Sequence, residues 1–454
     1  MTLDVAILAA GKGSRMKSNL PKVLHKIAGT PMVQHVLNTA KELPGAKLHL
    51  IVGHEGEKVS AECQKFSANI VWQNNPQGTG DALRRVAPHL QVGGSTLTLY
   101  GDVPLIQAST LNAMTALSSP NTLVLLTIKL KNPTGYGRIV RNDQEQVVAI
   151  VEQKDASAKE LLINEVNTGI LLAPNNHLQK WLAALSNNNA QGEYYLTDII
   201  AMAAQDGVEI VTVHPENEAE VSGVNDRIQL SALEREMQNQ QARVLMENGA
   251  SLLDPARIDI RGELSTGQDV IIDINCIFEG NVVLGDNVEI GANCHLKDCQ
   301  IGDGTILKSH TLIEDSIVGK HCDIGPFARL RPGTQLADKA KIGNFVETKK
   351  AIIGEGSKVN HLSYIGDTHM GAGVNVGAGT ITCNYDGMHK HLTQVADNVF
   401  IGSNSSLVAP VSIGEGATVA AGSTITRDVE ANQLVLARSR QTQKDNWIRV
   451  AKKS

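Results

Sequence analysis

The chain has 454 residues, of which 42% are hydrophobic and 19% charged, and its formal net charge is −6. That length and apolar content call for two or three domains with sizeable cores and exclude global disorder. The acidic balance argues against a bulk nucleic-acid binder or a protein held on anionic membranes, and no apolar run approaches the ~18 residues of a membrane span.

The first half alternates two kinds of segment. Residues 5–10, 48–52, 70–73, 96–100, 123–129 and 210–213 are short apolar runs that read as strands, and residues 32–43 and 108–117 are amphipathic and read as helices. This alternation predicts a mostly parallel sheet covered by helices, with ligands bound beyond the carboxyl ends of the strands. The opening run LDVAILAA lacks a basic region before it and is too short for a signal segment.

The first strand runs into Gly11-Lys12-Gly13-Ser14-Arg15-Met16, followed by Pro21-Lys22. A Gly-rich turn after a strand can cradle phosphate with backbone N–H groups, and Arg15 and Lys22 add the charge to neutralise a triphosphate. It is not a Walker loop, because Gly-x4-Gly-Lys-Ser/Thr is absent, and it is not the dinucleotide fingerprint, because Met16 occupies the third Gly position. The same residues also read as a plain βα turn with surface cations. Gly101-Asp102 follows the strand at 96–100, so Asp102 is either a Mg²⁺ ligand at a strand end or a helix N-cap. Asn225, ahead of a helical stretch, has the same two readings. Gln77-Gly78-Thr79-Gly80-Asp81 and Thr134-Gly135-Tyr136-Gly137-Arg138 are further Gly-rich loops, each either a ligand-reading loop or a tight turn.

Residues 226–248 lack Gly and Pro and carry Leu230, Leu233, Met237 and Val244 on one face, which predicts a single connecting helix. Beyond it the period changes. Ile272, Phe278, Leu284, Ile290 and Leu296 are six apart; after a slip the series restarts at Ile301, Leu307 and Ile313, then at Val318, Ile324, Leu330, Leu336 and Ile342. It resumes at Ile353, Val359, Ile365, Met370 and Val376 and, after a gap, at Val395, Ile401, Leu407, Ile413, Val419 and Ile425. Period six predicts a parallel β-helix in which three hexads make one turn of a triangular prism. A narrow prism excludes bulky rings, which suits an aromatic content of 3%. The break after Val376 predicts an insertion on a binding face, carrying Asn384, Tyr385, Asp386, His389 and His391. Asn360, His361 and Tyr364 point outward just upstream, near Arg329, Arg331, Lys349 and Lys350. His is a natural base at neutral pH, although any one of 14 histidines is ordinarily a surface or capping residue. The six cysteines (Cys63, Cys276, Cys294, Cys299, Cys322 and Cys383) read as free thiols in a reducing cytoplasm. Cys294 and Cys299 lack the second pair that a zinc site needs.

LAAGKGSRM with Pro21-Lys22, Gly78-Thr79-Gly80, Tyr100-Gly101-Asp102 and the hexad series together resemble the bacterial bifunctional N-acetylglucosamine-1-phosphate uridylyltransferase / glucosamine-1-phosphate acetyltransferase family. NNAQGEYY (188–195), GPFARLRPG (325–333), GNFVETKK (343–350) and GAGTITCNYDG (377–387) extend the resemblance over nearly the whole chain. It implies a Rossmann-like α/β nucleotidyltransferase domain (1–226), a connecting helix (227–248), and a left-handed parallel β-helix of hexapeptide repeats with a C-terminal tail (249–454) that forms a homotrimer. It implies acetyl transfer from acetyl-CoA to glucosamine 1-phosphate, then Mg²⁺-dependent uridylyl transfer from UTP to N-acetylglucosamine 1-phosphate with release of pyrophosphate, in the cytoplasm.

By the same resemblance, Leu8, Ala9, Ala10 and Gly11 lie at uracil and ribose, Gln73, Gly78 and Thr79 read the base, and Tyr100 and Gly101 border the site. Arg15 and Lys22 meet the phosphates, Asp102 and Asn225 are the metal ligands, and Gly137, Glu152 and Asn167 hold the amino sugar. In the second site His361 is similar to the general base. Arg331, Lys349, Tyr364 and Asn375 match the sugar-phosphate contacts, with Glu347 nearby. Ala378, Asn384, Tyr385, Ser403, Ala421 and Arg438 match the acetyl-CoA region. The chain departs from the family pattern at Ser14, where Thr is common, at Asp81, where His is frequent, and in the tail around Arg438. Two other readings use the same residues: a sugar-nucleotide pyrophosphorylase whose β-helix is an allosteric or oligomerisation module, and an assembly subunit without chemistry. Intact Arg15, Lys22 and Asp102 weigh against the second, and His361 with the Asn384-Tyr385 loop weighs against the first.

Overall fold

The structure, a computed structural model, describes residues 2–450. Two compact units meet in sequence at Met237/Gln238.

The first unit is a sheet with helices on both sides. Its strands are β1 (Leu3–Ala9), β2 (Ala46–Val52), β3 (Asn69–Trp72), β4 (Ser95–Tyr100), β5 (Thr122–Lys129), β6 (Arg138–Arg141), β7 (Val147–Val151), β8 (Glu165–Pro174) and β9 (Glu209–Val213). The main order is β9-β5-β8-β4-β1-β2-β3. All neighbours are parallel except β8, which is antiparallel to both β4 and β5. The six runs read as strands lie in β1, β2, β3, β4, β5 and β9; that reading misses β6 and β8, which polar or glycine residues interrupt, and also β7, an uninterrupted apolar run.

Strand period sorts the core. Val5, Ile7 and Ala9 of β1 pack with Val33, Val36 and Leu37 of helix α1 (Met32–Lys41) on one face. Ala6 and Leu8 pack with Leu83 and Val86 of α2 (Thr79–Val86), and with Trp181 of α3 (Asn175–Ala184), on the other. Successive side chains on a strand point to opposite faces, so a strand buried on both sides reads as unbroken apolar sequence.

The predicted connecting helix is α4 (Arg227–Glu247), and the division between units falls inside it. Leu233, Leu230 and Met237 join Met16, Ile27, Met32 and Val224, and Ala28 N donates to Glu234 Oε2 at 2.8 Å. The first half of α4 is therefore part of the first unit, beyond residue 226. In the second unit Gln238 is buried and spans Ile260, donating to its carbonyl at 2.8 Å and accepting from its N–H at 2.7 Å.

The second unit is a parallel β-helix. One ladder pairs Ile272 with Ile290, Leu307, Ile324, Ile342, Val359, Val376, Ile401 and Val419 in succession. Every aliphatic position of the hexad series is buried, and none exceeds 4% exposure. The structure adds two inward positions that an aliphatic reading passes over. Thr348 pairs with Leu330 and Ile365, and Thr382 pairs with Leu407. The ladder thus continues to Thr382, and the insertion shortens to a loop closed by His391 N donating to Asn384 O at 2.8 Å. Buried hydroxyls are tolerated because they are bonded: Thr348 faces Thr334 Oγ1 at 3.0 Å, and Thr382 Oγ1 accepts from Gly366 N at 2.8 Å.

Two residues before each inward position a second, small residue is buried, such as Thr305, Ala328, Ala340, Ser357 and Ser405. Cys276, Cys294, Cys299 and Cys322 all occupy this place. Burial pushes their thiols up to about 11, 12, 12 and 11. These are packing residues, inert as nucleophiles because the thiolate is disfavoured. Among the described residues no helix is long and apolar enough to cross a membrane.

Candidate active sites

The first site forms at the carboxyl ends of β1, β3 and β4, where a parallel sheet leaves a crevice. A cavity of about 270 Å³ is lined by Leu8, Ala9, Ala10, Gly11, Lys22, Gln73, Gly78, Thr79, Tyr100 and Asp102, all named from sequence, together with Val23, Pro76, Ala82 and Glu193. Gly101 lies against its floor, with its N–H donating to Leu8 O at 2.9 Å.

Several backbone features shape this wall. Gly78 has φ +110°, and a Cβ there would come within 2.6 Å of Tyr194 O. Gly80 N donates to Tyr194 O at 2.9 Å, Tyr194 N to Gln77 O at 2.7 Å, and Leu196 N to Thr79 Oγ1 at 3.3 Å. The Gly-rich loop is thus zipped to residues 194–196, so it is a built wall and more than a tight turn. Gly13, at φ +60°, allows the first Gly turn to pass the Lys22 side chain, where a Cβ would meet Lys22 Cβ at 2.5 Å.

At the cavity mouth Lys22 Nζ pairs with Asp102 Oδ2 and donates to Asn225 Oδ1 at 3.3 Å, and Arg15 Nη2 donates to the same oxygen at 2.9 Å. Val224 N donates to Asp102 O at 2.9 Å, which ties the Asn225 turn to the end of β4. Behind them Arg227 reaches Met16 O with Nε and His25 Nδ1 with Nη1, each at 3.3 Å. Residues far apart in the chain therefore converge. Asp102 lines the cavity, and it makes no side-chain cap in the helix that follows. The donor set fits Mg²⁺: a carboxylate oxygen and an amide oxygen already share one cationic partner, and both are hard ligands of the kind this ion takes beside substrate phosphates.

Gly137, Glu152 and Asn167 also come together, outside the cavity lining. Asn167 N donates to Gly137 O at 2.9 Å, and a Cβ on Gly137 would stand 3.4 Å from Glu152 Oε1. Thr197 Oγ1 donates to Glu152 Oε1 at 3.2 Å; burial, as the largest influence, raises the Glu152 carboxyl. The register of β8 against β5 slips between Asn167 and Leu171, where Gly169 at φ +88° lies against the Tyr100 ring. Tyr100 lines the cavity on its other side, so it joins the two groups. Burial, with Asp102 and Glu152 nearby, raises its phenol.

The second site lies along one edge of the β-helix. His361 pairs in register with Asn344, and His361 Nδ1 is 2.7 Å from Asn344 Oδ1. The amide oxygen accepts only, so this contact selects the Nδ1–H tautomer of the neutral ring. Asn344, His361, Ala378, Ser403 and Ala421 each stand two residues beyond an inward aliphatic of the same ladder, and so form one column on successive coils. Arg438 closes it, with Nη1 donating to Ala421 O at 2.9 Å. Asn375 lies in the ladder beside it, paired with Lys358 and Phe400.

Around the corner Glu347 pairs with Tyr364, and Arg331 Nη1 meets Glu347 Oε1 at 2.7 Å. Lys349 is crowded by Lys390 of the insertion, whose ammonium is the main cause of its lowered pKa. Asn384, buried, donates to Asp367 Oδ2, and Tyr385 Oη donates to Gly387 O at 2.5 Å. Asp386 accepts from Met388 N, His389 N and His391 Nε2, which hold its carboxyl well below the usual range. Sequence reasoning does not reach Lys390, Asn344 or Glu193. The column rule of two places past the inward residue would have found Asn344; Lys390 and Glu193 meet the site only through chain folding.

Known proteins bear on both halves. A family model described as MobA-like NTP transferase domain matches residues 5–167, one described as GMPPB C-terminal domain matches 260–344, and the bacterial transferase hexapeptide model matches 393–427. A protein of Marinomonas sp. (strain MWYL1) named "Bifunctional protein GlmU" is 79% identical over all of both chains. Proteins of the same name from Marinobacter nauticus and Cellvibrio japonicus are 57% and 58% identical, covering 99% and 100% of each chain. A solved nucleotidyl transferase from Methanothermobacter superposes with a TM-score of 0.39 at 16% identity, covering 53% of this chain and 99% of that one.

Proposed function

The chain belongs to the family of bifunctional GlmU proteins, and from that premise we propose the following assignment of its chemistry. It is a bifunctional transferase of UDP-N-acetylglucosamine synthesis: the β-helix acetylates glucosamine 1-phosphate from acetyl-CoA, and the α/β unit joins N-acetylglucosamine 1-phosphate to the uridylyl group of UTP. The observation that carries the reading is the convergence of Arg15, Lys22, Asp102 and Asn225 at the mouth of one cavity.

In the first site the sugar phosphate attacks the α-phosphorus of UTP and pyrophosphate leaves. Phosphoryl transfer depends mainly on positioning and charge neutralisation. Arg15 and Lys22 supply fixed positive charge at the triphosphate, and Gly11 and the Gln77–Gly80 loop seat the nucleoside. Gly137, Glu152 and Asn167, joined to the cavity through Tyr100, orient the amino sugar. Asp102 and Asn225 would hold Mg²⁺, which when bound neutralises phosphate charge.

In the second site the amine of glucosamine 1-phosphate attacks the thioester carbonyl of acetyl-CoA, the carbon–sulfur bond breaks and coenzyme A leaves as its thiol. His361 Nε2 takes the amine proton, and Asn344, accepting from Nδ1, orients the ring and selects the tautomer in which Nε2 is the basic nitrogen. Arg331 and Lys349, with Lys390, form the cationic patch for the sugar phosphate. Ala378, Asn384, Tyr385, Ser403, Ala421 and Arg438 border the acetyl-CoA region. No cysteine is needed as a relay. His310, Phe327 and Phe345 stack at 4.8 and 5.3 Å on an exposed edge, which supports self-association of the β-helix as the homotrimer. The cytoplasm is the compartment assigned.

Two assays test the assignment on the full chain. Free thiol should appear from acetyl-CoA only when glucosamine 1-phosphate is present, and pyrophosphate from UTP only with N-acetylglucosamine 1-phosphate. Pyrophosphate without thiol release would instead favour a pyrophosphorylase with a non-catalytic β-helix.

A further inference from the structure

We propose that Asp81 sets the base specificity of the first site by fixing which way the Gln73 amide faces. This rests on reading the cavity as the UTP site. Gln73 is 3% exposed and lines the cavity. Its Nε2 donates to Asp81 Oδ2 at 2.7 Å and to Gly78 O at 3.2 Å. A primary amide nitrogen has two N–H donors, and both are used. Its Oε1 receives no hydrogen bond from the described residues. The orientation is forced, because a carboxylate and a backbone carbonyl only accept; the flipped amide would set oxygen against both.

Asp81 is itself held in place. It is 2% exposed, lies in the first turn of α2, and its Oδ1 meets Arg85 Nη2 at 3.2 Å. A helix N-terminus favours a carboxylate there. Gly78 O is anchored as well, accepting from Ala82 N at 3.2 Å.

Gln73 therefore shows the nucleobase an acceptor and no donor. Uracil offers an N–H at ring position 3, which pairs with that oxygen. Cytosine has a lone pair at the same position, which leaves two acceptors facing each other in a desolvated pocket. A buried polar group left unpaired is what lets a site reject a close analogue strongly. Asp81 touches no nucleotide in this account; it is a positioning residue acting through Gln73.

The test compares kcat/KM for UTP and CTP, by pyrophosphate release with N-acetylglucosamine 1-phosphate, in the full chain and in Asp81→Asn. An asparagine amide can donate as well as accept, so the shorter of the two contacts no longer forbids the flipped Gln73 amide, and only Gly78 O at 3.2 Å still opposes it. The UTP:CTP ratio should fall about tenfold or more; a ratio does not depend on how much of the variant is folded. Wild type should also discriminate against N3-methyluridine triphosphate, which lacks the ring N–H. Normal UTP turnover with an unchanged ratio in the variant, or wild-type turnover of the N3-methyl analogue equal to that of UTP, overturns this proposal alone. Failure of wild type to release pyrophosphate from UTP overturns the reading of the cavity and this proposal with it.

Discussion

Removing Asn344 probes the proposed base without touching it. The Asn344–His361 hydrogen bond is 2.7 Å long and lies at the surface. A bond of this kind contributes about 1 kcal/mol net, so Asn344→Ala should leave stability nearly unchanged. The same ~1 kcal/mol is what holds the ring in its tautomer and orientation, so its loss should lower the productive fraction of His361 about fivefold. His361→Ala, which removes the base itself, should cost about 10²–10⁴-fold in acetyl transfer. Both are read as the initial rate of thiol release from acetyl-CoA with glucosamine 1-phosphate saturating. If Asn344 acts only through His361, Asn344→Ala should add no loss in the His361→Ala background. Uridylyl transfer by both variants should be normal. Multiplying losses in the double variant, or an undiminished rate in Asn344→Ala, would refute the orienting role.

The remaining predictions concern the first unit and the thiols. Asp102→Ala should lower uridylyl transfer by about 10²-fold or more while acetyl transfer persists, and chelation of divalent cations should inhibit pyrophosphate release far more than thiol release; equal loss of both would point to misfolding. A fragment ending at residue 226 should melt well below one ending at 247, because it loses buried Leu233, about 2 kcal/mol by itself, and the Ala28–Glu234 bond; equal midpoints would remove the first half of α4 from that fold. Burial holds the pKa values of His25, His35 and His49 below the usual imidazole value. The unfolded chain then binds more protons, so stability falls as pH drops through ~6.5 toward the folded values. Denaturant midpoints that stay level from pH 7 to 5.5 would contradict this. At pH 8 a thiol reagent should find one fast-reacting cysteine, Cys383, since the other five are buried; several fast thiols would show that the prism opens.

Some of this molecule is written along the chain. A β-helix is built from local repeats, so its inward positions recur at a fixed step and Ile272 or Val419 can be placed by counting alone. A strand buried on both faces, such as β1, is legible for the same reason: burial is imposed residue by residue. The Gly-rich turn at Gly11–Arg15 and the carboxylate at Asp102 are visible as candidate chemistry, with a structural reading beside each. Threonines 348 and 382 stay hidden because burial of a hydroxyl depends on a partner in the next coil, which no local pattern shows. The β8 slip at Gly169, the zipping of Gly78 to Tyr194, and the meeting of Lys390 with Lys349 are long-range events of the same kind. Asp81 is the clearest instance. As a letter it is only a departure from a family pattern, and it acquires a role because folding brings two acceptors to one amide nitrogen, so that hydrogen-bond polarity, a property of the assembled neighbours, decides which atom faces the cavity.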